Sequence, residues 1–80
     1  MLPKNLLYRL DLEMKGLPKR TLQNALTDAK LEDGEIFWTN TILFVRHIKT
    51  GEITIQDDLM EFEDVTCTVA RFLNFIENRY

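Results

Sequence analysis

The chain predicts an α+β domain whose elements run β-α-β-β-(β)-α, with an antiparallel-rich sheet and two helices on one face. Three observations point there. An alternating apolar stretch opens the chain, a helix-period stretch follows Pro18, and a longer amphipathic stretch closes the sequence after a hairpin-like middle. At 80 residues the chain is one domain, 1–80, with room for a single core.

Leu6, Tyr8, Leu10, Leu12 and Met14 alternate with Leu7, Arg9, Asp11 and Glu13. The period of two reads as a strand with one dry face. A helix is the competing reading, because Leu6, Leu7, Leu10 and Met14 also form a helical stripe; it leaves Leu12 among polar neighbours. The strand is preferred on that ground.

Gly16 breaks the pattern, and Pro18 suits the first turn of a helix. Pro18, Leu22, Ala25, Leu26 and Ala29 share one face of that helix. Leu31-Glu32-Asp33-Gly34 ends it.

Residues 35–56 read as antiparallel sheet. Ile36-Phe37-Trp38 is a short apolar run, and Thr39-Asn40-Thr41 is a possible turn, leaving one strand or two across 36–48. Ile42 to Ile48 is apolar on both faces and reads as a central strand. Lys49-Thr50-Gly51-Glu52 makes a hairpin, with Gly51 free to take positive φ.

In the closing stretch, Asp58 and Glu61 resemble a capping box. From there Phe62, Val65, Val69, Phe72, Leu73, Ile76 and Tyr80 fall on one helical stripe, with Cys67 on the far side. The expected core is Leu10, Leu12, Leu22, Leu26, Phe44, Val69, Phe72 and Ile76.

The net charge of −3 conceals a split: residues 1–31 carry +3 and residues 32–80 carry −6. Overall acidity weighs against a general nucleic-acid binder. One cysteine, Cys67, excludes an intrachain disulfide, and with one histidine it gives no Cys/His zinc spacing. No apolar run approaches the roughly 18 residues that span a bilayer, so no membrane partner is expected. The free thiol and the lack of an export signal suggest a cytoplasmic protein.

No nucleophile–base pair or phosphate loop is present, and the chain is not expected to be an enzyme or to hold a cofactor or metal. Its acidic run, Asp57 to Asp64, reads first as a helix start; docking of a partner and cation binding are the alternatives. The expected function is protein interaction, as an inhibitor, immunity or antitoxin-like protein, or adaptor. Trp38, Asp57, Asp58, Glu61, Asp64 and Phe75 are the candidate partner-binding residues, and a homodimer is one expected form. The alternative is a nucleic-acid module using Lys15, Lys19, Arg20, Arg46 and Lys49. His47 has no catalytic partner at motif spacing and reads as structural.

Overall fold

A computed structural model describes residues 2–28, 30, 32–34 and 36–80. Two helices lead, α1 (Lys4–Glu13) and α2 (Lys19–Thr27). Four strands follow: β1 (Ile36–Trp38), β2 (Ile42–His47), β3 (Glu52–Asp57) and β4 (Val65–Thr68). Helix α3 (Val69–Arg79) closes the described chain. The strands form one antiparallel sheet in the order β1-β2-β3-β4, so the α+β class holds and β2 is interior as expected.

The first element differs from expectation. Residues 4–13 are helical, with Leu6, Arg9 and Leu10 turned inward. The objection to a helix was that Leu12 would face polar neighbours, and it does: Leu12 is 46% exposed and outside the core. A strand at this position would also have had to bury Tyr8, which is 68% exposed. Two turns of aligned leucines outweigh the alternation.

Helix α2 buries Leu22 and Leu26 as the pattern requires. Ala29 and Leu31, expected at the end of this helix and in the turn after it, lie outside the described residues. Residues 36–48 form two strands, not one. Thr39 N–H donates to the Ile42 carbonyl across an Asn40–Thr41 turn, and Glu13 of α1 accepts from the hydroxyls of Thr39 and Thr41. Gly51 takes φ 68° in the β2–β3 hairpin.

The closing helix is shorter than its stripe suggested. Residues 58–64 are loop, and Val65-Thr66-Cys67-Thr68 is an edge strand paired to β3 from Glu52 to Ile55. Val65, Cys67 and Val69 repeat every second residue, while Val65, Val69 and Phe72 repeat at helical spacing. Val65, Thr66 and Thr68, three β-branched residues in four, favour the strand. The capping box at Asp58 is not used. Thr68 is the N-cap, and its hydroxyl accepts from Arg71 N–H at 3.2 Å.

Leu6 and Leu10 of α1, Leu22 and Leu26 of α2, and Phe72 and Ile76 of α3 meet Ile42, Phe44, Ile53 and Ile55 in the core. Each of these strand residues lies on the same side of the pleat. Cross-strand pairing of Phe44 with Ile55 and Phe37, and of Ile55 with Val65, continues that side across all four strands. Three helices therefore cover one face of the sheet, one more than expected. Of the residues expected in the core, Val69 is only half-buried and Leu12 is out.

Candidate functional site

The pleat alternates, so what the helices leave open is fixed by register. Trp38 pairs with Leu43 and Leu43 with Gln56, giving one row across the uncovered face. Ile36, Val45, Thr54 and Thr66 form the next row, and His47, Glu52 and Thr68 the third. Apolar side chains gather at the β1–β2 end: Trp38 is 58% and Ile36 43% exposed, beside half-buried Leu43 and Val45. The β3–β4 end is polar. There His47 Nε2 lies 2.8 Å from the Thr54 hydroxyl, which lies 2.9 Å from that of Thr66.

The first row runs into the loop between β3 and β4. Gln56 donates to Asp64 at 3.2 Å, and Leu43, Gln56, Met60, Phe62, Glu63 and Asp64 line one open concavity. The loop is anchored from below. Asp57 has no exposed side-chain surface, and Arg9 of α1 donates to it at 2.6 Å. Arg9 also pairs with Glu61 and reaches the Thr41 hydroxyl at 3.2 Å.

Burial by itself would raise the Asp57 carboxyl's pKa. The N–H of Leu59, the Arg9 guanidinium and the N–H of Glu61 outweigh it, and the net displacement is downward. Glu61 N–H donates to its second oxygen at 2.6 Å. Among the described residues, every buried side-chain nitrogen and oxygen has a partner.

Of the six candidate partner-binding residues, Asp57, Asp58, Glu61 and Asp64 line that same concavity, and Trp38 and Phe75 do not. Trp38 stands on the uncovered face. Asp57 is spent inside the fold holding α1 to β3, and Glu61 shares the same arginine while keeping most of its surface in solvent. Asp58 and Asp64 are exposed on the loop. Phe75 belongs to the helical layer, where it stacks on Phe72 with ring centroids 6.3 Å apart. Arg79 lies 5.7 Å from the Phe75 ring, and it also makes two hydrogen bonds to Asp11 of α1, at 2.9 and 2.8 Å.

The basic residues are dispersed. Lys19 and Arg20 open α2, and Lys19 is 3.4 Å from Glu77. Arg46 donates to the Asp28 carbonyl just past the other end of α2. A nine-residue helix separates the two groups by about 13 Å. Lys49 sits in the β2–β3 turn and Lys15 in the α1–α2 turn.

Cys67 lies on the covered side of β4, opposite the position its helical reading gave. Burial pushes its thiol up, with Arg71 opposing and Glu52 adding to the rise. Among the described residues, no three His, Cys, Asp or Glu side chains are grouped to hold a metal ion. No described helix is long and apolar enough to cross a membrane.

Sequence reasoning missed Ile36, Leu59 and Met60. Leu59 is 54% and Met60 90% exposed, and Met60 adopts φ 57°. Two apolar residues inside an acidic run were the available signal; the capping-box reading placed them in a first helical turn instead. Comparison with protein-family models, curated proteins and solved structures finds no match for this chain.

Proposed function

We propose that this chain is a protein-interaction module that binds a partner protein through the uncovered face of its sheet. The observation that carries the reading is Trp38. It is the chain's one tryptophan, and it stands 58% exposed beside Ile36, Leu43 and Val45 on a face that none of the three helices covers. Aromatic rings in a half-desolvated apolar setting are the usual anchors of protein contacts. The polar rim supports the same reading, since the His47–Thr54–Thr66 chain and the exposed carboxylates of Asp58 and Asp64 surround the apolar end.

The helical layer offers less, because Phe75 and Arg79 already engage Phe72 and Asp11. The module acts by occupying a surface of its partner and needs no catalytic group. A cytoplasmic setting accords with the lone thiol of Cys67. A second copy as the partner is disfavoured because the strand positions of this face carry Glu52 and no lysine or arginine.

Site-specific photo-crosslinking in the native host tests the proposal. A photoreactive residue at 45 is expected to give one discrete adduct with a different polypeptide. The same residue at Thr21 or Asn24, exposed on α2, is expected to give none. Adducts from α2 alone, or from neither surface, would overturn the reading.

A further inference from the structure

We infer that the docking surface continues from the sheet onto Met60, and that its occupant is a cationic protein segment carrying a bulky apolar residue; this rests on the interaction reading above. Continuity comes from geometry. Leu43 of β2 and Met60 line the same concavity, and Leu43 is the cross-strand neighbour of Trp38. One apolar surface thus runs from Trp38 through Leu43 to Met60.

The fold itself has no use for the Met60 side chain, which neither belongs to the core nor packs against it. Met60 also holds a left-handed backbone, at φ 57°, a conformation that crowds a Cβ and suits glycine or asparagine better. The loop is nonetheless fixed, because each N–H from Asp58 to Glu61 has an acceptor: the Thr41 carbonyl, Asp57 Oδ1, the Asp57 carbonyl and Asp57 Oδ2 in turn. Its apolar tip is held in place before any partner arrives, which lowers the ordering cost of binding.

Charge selects the occupant. Asp58, Glu63 and Asp64 are exposed around this surface, and no strand position of the uncovered face is a lysine or arginine. Nucleic acid and anionic lipid would meet carboxylates there. A second copy offering the same face would bring no counter-charge. A polypeptide with lysine or arginine on either side of an apolar residue meets both the apolar centre and the acidic border.

The probe is a random twelve-residue peptide library displayed on phage and panned against the whole chain. Enriched peptides are expected to place Lys or Arg around a Leu, Met, Phe or Trp. In the ¹⁵N-labelled protein they should perturb amides of 36–38, 43–45 and 58–64. Met60→Asn keeps the left-handed backbone and removes the apolar side chain; it is expected to weaken these peptides at least tenfold without loss of folding. Acidic or charge-free consensus sequences would overturn the inference, as would affinity unchanged in Met60→Asn. Binding that falls with Trp38→Ala but not with Met60→Asn would remove this inference and leave the interaction reading standing. Binding indifferent to both would remove both.

Discussion

Arg9 of α1 and Asp57 at the end of β3 form an ion pair at 2.6 Å, and neither residue is more than a tenth exposed. The pair joins the first helix to the strand that launches the acidic loop, 48 residues away in sequence. Removing Arg9 alone leaves the buried Asp57 carboxylate with no counter-charge, only the N–H groups of Leu59 and Glu61, and breaking a buried pair in this way costs about 3–5 kcal/mol. Arg9→Met is expected to lower the unfolding free energy by an amount of that order, a large share of a small domain's stability. Adding Asp57→Asn is expected to recover part of the loss, and urea denaturation of the four proteins of the double-mutant cycle measures the coupling.

A second tie between ends of the chain sets the pH range of stability. Arg79, and then the Tyr80 hydroxyl, hold the Asp11 carboxyl down at about 2 from an ordinary 3.8. Burial, and then Asp11 itself, push the Tyr80 phenol up to about 12 from 10.0. A depressed carboxylate stabilises the fold above its unfolded pKa and loses that contribution as pH falls toward 2. A raised phenol stabilises it below pH 10 and loses that contribution as pH rises toward 12. Melting temperatures are therefore expected to fall below pH 4 and above pH 10. Asp11→Asn should flatten the acid limb, leaving the share that belongs to Asp57 and Glu77, and Tyr80→Phe the alkaline limb.

Helix α3 begins at Thr68. Thr68→Ala is expected to cost about 1 kcal/mol by removing the acceptor for Arg71 N–H. Asp58→Ala, ten residues upstream in the loop, is expected to leave helix content and stability nearly unchanged. Circular dichroism during thermal melting separates the two.

Trp38 should carry binding more than stability. Trp38→Ala is expected to lower the unfolding free energy by no more than about 1 kcal/mol, the size of a cross-strand aromatic pair, while abolishing the crosslink from position 45. Met60→Gly, which relieves the left-handed backbone, is expected to stabilise the fold by about 1 kcal/mol.

How far the residues foretold this molecule depends on which forces were local. Leu22 and Leu26 share a helical face whatever surrounds them, and the Ile42–His47 strand is apolar enough to be interior in any sheet; both were legible. Residues 6–14 were ambiguous because their leucines satisfy two periods, and only the position of Leu6 and Leu10 against the sheet decides between them. Val65 and Val69 misled for the same reason. Asp57 looked like one of several solvent-facing acids, since nothing local announces that Arg9 will be folded against it. Trp38 was singled out as an aromatic at the start of the sheet region, whereas the exposed face around it emerged only from strand register.

Fluorine NMR of the chain labelled with 5-fluorotryptophan tests the central claim most directly, because Trp38 supplies a single resonance. Free protein is expected to show a clear H₂O-to-D₂O shift for an exposed indole. In complex with the partner recovered by crosslinking, that shift should collapse and the resonance should move. A resonance and solvent shift identical in the free and bound protein would contradict docking on the uncovered sheet face.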